Sequence, residues 1–585
     1  GSVDNPLFYV GHTATVFFGL WVVWGGFIYA MANKKMKAML SFLLCSLSLM
    51  ALVNLFIFKG DYGLVSRRLQ FENASSLNAG GVAMVAPFVV LIVLFLISLA
   101  LLKWRRAHYL STLLTILVLT SGISGLVSCT GIQGEFKAHQ KNVLARDAFF
   151  DEAAEIEPVF HLSREGKNVV FIFLDRAFSF YFPYIHAQFP KMQEQFKGFV
   201  YYPNTVSLGR NTLLGSPAMM GGYEYSPDAM NARSSEKLVD KHNEASLMLP
   251  KLFLDNGYSV TLTDPPLSNY KEKGDYTPFE RYPEMHVMQQ IERYSINYKN
   301  EFSSVLRWNK AYESTNIKKR LPLFSILKTT LPIVRSTLYE KGGYFLAFGN
   351  SPNTEDFIDS YAPLYYLREL TDFEAEGDTY TFISNDTPHK PLYLQAPEYE
   401  PRSVVTDVST PLDGTTEMET IDFQYYHANA ASLRQVGLWF EELQDAGVYD
   451  NTRIIIVADH AYSLYASYFN DFSENKYEYA FFNPLMLFKD FSSDGPYVTD
   501  NSFMTHADAP LFAADNLGFE TINPFTKKYL FDSVDKREVT VYSGPFDPRN
   551  NQDNRFKLDL GKSYTVHDSI FEELNWSTVG FQEEK

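Results

Sequence analysis

The chain has 585 residues, which is too many for one ordinary domain, and its formal net charge is −17. A chain this acidic lacks the basic surface of a nucleic-acid-binding protein, so nucleic acid is excluded as a partner. Its two cysteines are Cys45 and Cys129, so residues 130–585 contain no disulfide, no cysteine nucleophile and no cysteine-bound zinc.

The first 130 residues are dominated by long apolar runs, whereas the rest of the chain is mixed and rich in aromatic residues. Four runs, at residues 8–32, 38–58, 82–102 and 109–129, are close to the ~20 apolar residues that cross a bilayer. Short polar breaks separate them, which favours membrane spans over the buried helices of a globular domain. Residues 1–130 are therefore predicted to be a transmembrane region with about four helices.

Basic residues in the polar breaks orient these helices. The first and third breaks are the basic ones, with Lys34, Lys35 and Lys37, and with Lys103, Arg105 and Arg106. Positive charge concentrates on the cytoplasmic side, so the large C-terminal part is predicted to lie outside the cell. The start of the chain is then also expected outside, and its Gly1-Ser2 pair resembles a cloning scar. We therefore expect a fragment of a longer, multi-pass cell-membrane protein.

The pattern changes at Asn168, where a continuous run of β-branched and aromatic side chains predicts a strand buried on both faces. Similar strand runs and intervening helical patterns follow, with strands at 258–263, 379–383, 453–458 and 484–488 and helices at 244–256, 422–446 and 506–518. Strands that alternate with helices predict an α/β fold with a largely parallel sheet flanked by helices. We assign residues 131–164 to connector helices, 165–535 to the α/β domain and 536–585 to a C-terminal extension.

Polar side chains follow several of the predicted strands, at the sheet edge where α/β proteins bind ligands. Asp175 follows the strand at 168–174, Asp459 and His460 follow the strand at 453–458, and His389 follows the strand at 379–383. Thr212 lies in the glycine-rich stretch SLGRNTLLGSPAMMGGYEYSP, residues 207–227. Glycine lets backbone approach a ligand closely, so Thr212 is a candidate exposed nucleophile.

Each of these residues also has a purely structural interpretation. Asp175 could cap a helix, and Thr212 could bond local backbone in a tight turn. Asp459 and His460 could form a surface loop, and His389 a rigid turn between prolines. Their convergence on one sheet edge favours a single-metal site, since carboxylate, imidazole and hydroxyl ligands suit Mn²⁺ or Mg²⁺, and less clearly Zn²⁺. Mn²⁺ is the preferred ion, and a metal-bound Thr212 hydroxyl could attack phosphorus.

Four short motifs occur in a fixed order behind the apolar runs, namely FIFLD, GRNT, NDTPHKP and VADH. This ordered set resembles the lipoteichoic acid synthase and phosphoglycerol transferase family of the alkaline phosphatase–sulfatase superfamily. The resemblance covers about residues 165–520 and the membrane-anchored layout. The stretch ending in GGYEYSP is most similar to the branch that adds glycerol phosphate to cell-wall polysaccharides.

The resemblance implies roles for individual residues. Asp175, Thr212, Asp459 and His460 match the family's metal ligands, and Thr212 also matches its nucleophile. His389 matches a histidine that contacts glycerol phosphate, while Arg210 and His506 occupy places of further substrate-binding residues. Two departures concern the substrate: Asp175 stands where the synthases usually have glutamate, and Ala461 stands near a usual glycine.

The function implied by the resemblance is transfer of glycerol phosphate from phosphatidylglycerol to a cell-surface glycan or teichoic acid. Three alternatives stay open at this point: a phosphoethanolamine transferase, a sulfatase-type hydrolase, and a non-catalytic lipid-binding protein of the same fold. The stretch Ser216-Pro217-Ala218-Met219 lacks the arginine that a sulfatase nucleophile motif needs, and the absence of cysteines disfavours a disulfide-stapled phosphoethanolamine transferase.

Overall fold

The structure, a computed structural model, describes residues 5–58, 69, 71, 82–103, 107–143, 153–271, 274–306, 310–339, 342–345, 354–530, 538–548 and 553–580. The chain forms two compact units. The first, which we call the helical unit, consists of Gly1–Glu152 and Arg307–Pro352. The second, which we call the α/β unit, consists of Ala153–Leu306 and Asn353–Lys585.

The helical unit contains helices at Pro6–Met31, Lys34–Phe56, Val82–Lys103, Ala107–Val143, Lys310–Thr329 and Pro332–Tyr339. Asn5 and Asn33 begin the first two, because their side chains accept hydrogen bonds from the backbone N–H groups of Leu7 and Met36. Proline at the first helical position is also favourable, since its missing N–H has no helical partner there.

Three of these helices are long and apolar enough to cross a membrane: Pro6–Met31, Lys34–Phe56 and Thr115–Lys137. Large apolar side chains such as Trp24 and Leu126 are exposed on them, which indicates membrane anchoring. The third predicted run forms the helix Val82–Lys103, but its described apolar part, Val85–Leu101, is shorter. Four spans therefore stay a prediction, and Arg105 and Arg106, which oriented them, lie outside the described residues.

The connector predicted as helices over 131–164 differs in the structure. The helix Ala107–Val143 continues the last apolar run as far as residue 143, and residues 144–152 lie outside the described part. Phe160–Ser163 forms a strand instead of a helix, since it pairs in parallel with the strand Thr371–Ala375. Helical spacing in the sequence could not reveal a partner strand about two hundred residues away.

Arg335 joins two helix ends in the helical unit. Its guanidinium is 1% exposed and donates to the carbonyl oxygens of Asn54, Phe58, Lys328 and Thr330 at 2.9–3.4 Å. These carbonyls lie at the C-terminal ends of the helices Lys34–Phe56 and Lys310–Thr329, where carbonyl groups lack helical partners and a cation is favoured. The helix pair at 310–339 is thereby fixed to the N-terminal helices. Sequence analysis instead assigned these residues to the α/β domain at 165–535.

We expect Arg335→Ala to destabilise the helical unit. Each buried carbonyl left without a donor costs about 1–3 kcal/mol, so the loss is large even if water reaches some of them. The measurement is thermal unfolding of the purified protein in detergent. Lys319→Ala, at an exposed position of the neighbouring helix Lys310–Thr329, is the control and should leave the melting temperature unchanged. Equal melting temperatures for the two variants would contradict this role.

The α/β unit is built on fifteen described strands: β1 Phe160–Ser163, β2 Asn168–Leu174, β3 Phe199–Tyr201, β4 Thr205–Val206, β5 Ser259–Thr263, β6 Met285–Met288, β7 Thr371–Ala375, β8 Thr379–Asn385, β9 Thr452–Val457, β10 Met486–Lys489, β11 Val498–Thr499, β12 Met504–Thr505, β13 Val539–Ser543, β14 Asp559–Val566 and β15 Trp576–Thr578.

Eight strands form the central sheet, in the order β11-β3-β10-β9-β2-β8-β5-β6. Among the described strands of this sheet, β10 alone runs against its neighbours. The residues of β2, β8 and β9 are all buried, as expected of central strands covered on both faces. The predicted α/β fold with a largely parallel sheet is confirmed.

Helices cover both faces of this sheet, and the described ones are α1 Phe182–Gln188, α2 Met192–Gln195, α3 Thr212–Gly221, α4 Pro227–Ala232, α5 Leu238–Asp255, α6 Ser295–Glu301, α7 Ser303–Leu306, α8 Thr354–Tyr365, α9 Thr420–Asp445, α10 Lys476–Ala480 and α11 Ala509–Ala514. Alternate residues of β2 enter two different cores: Val170 and Ile172 pack on one face, and Val169 and Phe171 on the other. The sheet thus separates two apolar layers and leaves its strand ends for polar groups.

The C-terminal strands β13, β14 and β15 form a small antiparallel sheet. This sheet is tied to the stretch before Thr212: Arg210 N–H donates to the Tyr542 carbonyl at 3.0 Å, and Tyr542 N–H donates to the Leu208 carbonyl at 3.1 Å. The side-chain amide of Asn211 also donates to the Gly544 carbonyl at 3.0 Å. The segment predicted as an extension therefore supports the glycine-rich stretch.

Candidate active site

Two carboxylates meet where neighbouring strands end. β2 and β9 are parallel and adjacent, with Phe173 opposite Val457, so Asp175 and Asp459 follow at the same edge. Asp175, Asp459 and His460 are all buried, and one ligand atom from each lies within 4.8 Å of the others. The predicted convergence of these three residues is present in the structure.

The oxygens of this cluster are only partly satisfied by protein donors. Asp459 Oδ1 accepts from the backbone N–H groups of His460 at 2.9 Å and Arg176 at 3.4 Å. Asp459 Oδ2 and Asp175 Oδ1 are buried and have no hydrogen-bond partner among the described residues. A buried carboxylate oxygen without a donor is costly, so this pair fits a bound cation. Asp175, Asp459 and His460 form a possible divalent-metal site.

The electrostatics of the cluster agree with this interpretation. Burial raises the pKa of Asp175 well above its usual range, and the nearby charges of Asp459 and Asp386 raise it further. Burial likewise raises the pKa of Asp386, which follows the end of β8 on the other side of β2. Like charges that lie close together away from water favour the binding of either a proton or a cation.

Thr212 is the first residue of α3 and is half-buried. The side chain of Asn211 caps this helix by accepting from the Leu214 N–H at 3.3 Å. Thr212 Oγ1 lies 3.5 Å from His460 Nε2, so the hydroxyl reaches the carboxylate cluster. The N-terminus of a ten-residue helix favours negative charge at this position.

Gly215 permits this approach of α3 to the strand end. A Cβ atom at residue 215 would lie 2.5 Å from the Asp459 carbonyl oxygen and 3.4 Å from the His506 ring. The nearer atom belongs to the backbone and cannot turn away as a side chain can. The glycine-rich sequence around Thr212 therefore has a specific cause, which is backbone contact between α3 and the segment after β9.

His389 follows β8 in a turn, where its N–H donates to the Asp386 carbonyl at 3.1 Å. Burial lowers the pKa of His389 well below its usual range, and the charges of Arg176, Lys390 and His460 lower it further. The imidazole is therefore neutral at physiological pH and near the same group of charges.

His506 is fully buried, and its predicted role as a substrate-binding residue stays a prediction. Its ring is 0% exposed, and its Nε2 accepts from the Leu208 N–H at 3.0 Å. This bond holds the stretch before Thr212 from the inner side of the protein. The local sequence of His506, MTHADAP, gave no sign of burial.

Arg210 also has a partner that sequence analysis did not identify. Its guanidinium forms an ion pair with Glu478 at 2.9 Å and lies 3.9 Å from the centre of the Phe481 ring. The predicted contact with substrate phosphate stays untested by this arrangement, but the charge of Arg210 is balanced by a carboxylate. Glu478 is 268 positions away in sequence, beyond the reach of any local pattern.

Arg176 is a site residue whose role the sequence analysis missed. It directly follows Asp175, and its backbone has a φ of 64°, which is rare for a residue other than glycine. The guanidinium donates to the Tyr425 hydroxyl at 2.8 Å and lies 4.8 Å from the centre of the Tyr462 ring. An arginine immediately after a strand-end acid was the available signal.

We expect Gly215→Ala to disturb the contact between Thr212 and His460 without unfolding the α/β unit. The added methyl group meets the Asp459 backbone and must displace either α3 or the strand end. The measurement is Mn²⁺ affinity of the purified protein by titration calorimetry, with a loss expected. Gly377→Ala is the control, since a Cβ there meets nothing within 4 Å. Unchanged Mn²⁺ affinity in Gly215→Ala would contradict the proposed constraint.

We expect Asp459→Asn to weaken divalent-metal binding by about 100-fold or more, because it removes one of two buried negative ligands. The same calorimetric titration with Mn²⁺, Mg²⁺ and Zn²⁺ also ranks the three ions. Asp494→Asn, at an exposed position of the same unit, should bind metal as the wild type does. Wild-type affinity in Asp459→Asn would rule out this cluster as the metal site.

The comparisons with known proteins agree with this fold and site. A family model described as Sulfatase matches residues 167–511, more than half of the chain. No curated protein matches the chain in sequence. The predicted superfamily is thus confirmed, whereas the predicted branch that decorates cell-wall polysaccharides stays a prediction.

Several solved structures are similar in fold, at low identity. One is a protein of the alkaline phosphatase superfamily from Vibrio parahaemolyticus, with 11% identity, a TM-score of 0.36 and coverage of 73% of this chain and 85% of that one. The lipoteichoic acid synthase LtaP from Listeria monocytogenes has 11% identity, a TM-score of 0.36 and coverage of 69% and 86%. The lipooligosaccharide phosphoethanolamine transferase EptA from Neisseria meningitidis has 12% identity, a TM-score of 0.29 and coverage of 74% and 69%.

Members of the matched superfamily are hydrolases or phosphotransferases that use a divalent metal, and Asp175, Asp459 and His460 form a possible site for such a metal. The described α/β unit has the mostly parallel sheet of that superfamily. The chain belongs to the sulfatase family.

Proposed function

We propose that the protein is a membrane-anchored phosphoglycerol transferase that moves glycerol phosphate from phosphatidylglycerol to a cell-surface glycan or teichoic acid. The observation that carries the proposal is the position of the Thr212 hydroxyl, 3.5 Å from His460 Nε2 and beside a buried acid pair. A hydroxyl held against a metal-type cluster is the arrangement that phosphoryl transfer through a covalent intermediate needs.

Asp175, Asp459, His460 and Thr212 would hold one divalent cation, and Mn²⁺ is the ion we propose. Two carboxylate oxygens of this set are buried without donors, which is the property that fits them to the role. When bound, a divalent cation supplies a lowered hydroxyl pKa and neutralises charge on phosphoryl oxygens.

The chain's own residues account for the two steps of transfer. Thr212 Oγ1 forms a bond to phosphorus while the bond from phosphorus to the diacylglycerol oxygen breaks, and the threonine proton leaves with diacylglycerol. In the second step the oxygen of an acceptor hydroxyl forms a bond to phosphorus while the bond from phosphorus to Thr212 Oγ1 breaks. The proton of the acceptor hydroxyl passes to Thr212 Oγ1. The N-terminus of α3 favours the negative charge that passes through this position.

His389 and Arg210 are proposed to contact the glycerol phosphate group. Neutral His389 can donate or accept a hydrogen bond with a polyol hydroxyl, which suits a glycerol head group. His506 is proposed to act through the Leu208 backbone, by holding the stretch that carries Thr212.

A serine nucleophile of the sulfatase type is disfavoured by the structure around Ser216. This side chain is 0% exposed within α3, and its hydroxyl donates to the Thr212 carbonyl at 2.7 Å. It therefore supports the helix backbone, while Thr212 one turn earlier is accessible.

The apolar helices of the same chain give the lipid donor a physical rationale. Phosphatidylglycerol does not leave the bilayer readily, because its acyl chains lose about 0.8 kcal/mol for each methylene group exposed to water. An enzyme that takes a head group from such a donor needs a membrane anchor, and the helices Pro6–Met31 and Lys34–Phe56 are long enough to supply one.

We expect Thr212→Ala to lose transfer activity by about 10³-fold or more, because no other hydroxyl takes the position of the nucleophile. Thr212→Ser should keep measurable activity, since it retains the reactive oxygen. The assay follows labelled glycerol phosphate from phosphatidylglycerol vesicles to a glycan acceptor, with phosphatidylethanolamine vesicles in parallel. Ser216→Ala is the matched control and should remain active.

Two results would overturn the proposal. Full activity of Thr212→Ala would exclude the threonine mechanism. Transfer from phosphatidylethanolamine but not from phosphatidylglycerol would replace the proposed donor and favour a phosphoethanolamine transferase.

A further inference from the structure

Two arginines lie on an aromatic wall beside the proposed nucleophile. We define this wall by the rings of Tyr425, Tyr462 and Phe481, whose centres are 5.2 Å apart from one ring to the next. Arg176 lies over Tyr462, and Arg210 lies over Phe481. Arg176 directly follows Asp175, and Arg210 lies two residues before Thr212, so both cations are close to residues of the metal-type cluster.

The two guanidinium groups differ in how their charge is balanced. Arg210 is paired with Glu478 at 2.9 Å and also approaches Ser543 Oγ at 3.4 Å. The described ion pairs include none between Arg176 and a carboxylate. Arg176 is therefore the cation whose charge is left for a ligand, next to carboxylates that would otherwise repel an anion.

One side of the Arg176 guanidinium lacks a protein partner among the described residues. Nη1 donates to the Tyr425 hydroxyl at 2.8 Å, and the planar group is stacked on the Tyr462 ring. Nε is buried and has no hydrogen-bond partner. Nε and Nη2 form the side of arginine that can bind two oxygens of one anion. Neither atom donates a hydrogen bond to another of the described residues.

The backbone of Arg176 fixes this arrangement. Its φ of 64° turns the chain sharply after Asp175, and its N–H donates to Asp459 Oδ1 at 3.4 Å. The same residue thus contacts the acid cluster through its backbone and the aromatic wall through its side chain. An anion bound to Arg176 would lie between the cluster and the wall.

We propose that Arg176 binds the phosphoryl oxygens of the substrate, as the anion subsite of the active site. The proposal rests on the proposed function for the identity of the substrate, a phosphodiester or phosphate monoester. Its chemical basis is the unpaired Nε side of a guanidinium fixed by two tyrosines, which matches the geometry of phosphate.

The test measures binding of inorganic phosphate and of glycerol 1-phosphate to the purified full chain in detergent with Mn²⁺, by titration calorimetry. We expect Arg176→Gln to weaken binding of both probes by about tenfold or more, since a charge-assisted bidentate contact is lost. Arg176→Lys should fall between, because it keeps the charge but not the fork. Arg164→Gln is the matched control, because Arg164 is exposed, lies over the Phe373 ring and precedes β2 at the end opposite Asp175, and it should bind within about threefold of wild type.

Wild-type phosphate affinity in Arg176→Gln overturns the proposal, and so does a loss in Arg164→Gln as large as that in Arg176→Gln. Mn²⁺ affinity is measured for each variant to show that the acid cluster is intact. If Arg176→Gln also loses Mn²⁺, Tyr425→Phe replaces it, because that change removes only the hydroxyl that holds Nη1. Weaker phosphate binding with Mn²⁺ retained in Tyr425→Phe supports the proposal, and unchanged phosphate binding overturns it.

This experiment separates the subsite from the proposed function. Phosphate binding is measured without a lipid donor, so an absence of transfer from phosphatidylglycerol would count against the transferase and leave the Arg176 result standing. Conversely, wild-type transfer with unaltered phosphate affinity in Arg176→Gln would leave the transferase intact and remove the subsite.

Discussion

The α/β unit contains one electrostatic constraint on which its site depends. Two buried carboxylates of like charge, Asp175 and Asp459, lie close together. They lie together because β2 and β9 are adjacent and parallel, so both strands end at one edge. Their repulsion in a desolvated place has to be balanced by positive charge or by protons. The structure supplies partial positive charge through the N–H groups of His460 and Arg176 and leaves two oxygens for a cation. A site built this way can bind a divalent metal ion.

A second constraint is the close backbone contact between α3 and the segment after β9. Gly215 makes this contact possible, and His506 and the C-terminal sheet hold the stretch that precedes Thr212 from two sides. Thr212, the proposed nucleophile, is therefore positioned by segments from the middle and the end of the chain. This explains why so much of the polypeptide beyond the sheet is needed to place one hydroxyl within reach of His460.

The sequence predicted the features that local patterns encode. Continuous apolar runs identify the buried strands. The rule that ligands bind at the carboxyl ends of parallel strands predicts Asp175 and Asp459 at the same sheet edge. It could not predict the partners chosen by tertiary packing. The burial of His506, the pairing of Arg210 with Glu478 and the attachment of residues 310–339 to the N-terminal helices all depend on contacts between distant segments. Side-chain period carries no information about such partners.

Because the chain is acidic, its apolar helices and the arginines beside the site have separate roles at a membrane. A protein with a net charge of −17 is repelled at long range by an anionic lipid surface, so electrostatic attraction cannot hold it at such a membrane. Apolar helices can, because their contribution does not depend on charge. Screening confines charge effects to about 8 Å at physiological ionic strength, so the cations that would matter for the proposed anionic head group are those beside the proposed nucleophile. Arg176 and Arg210, on one aromatic wall next to His460, are in that position.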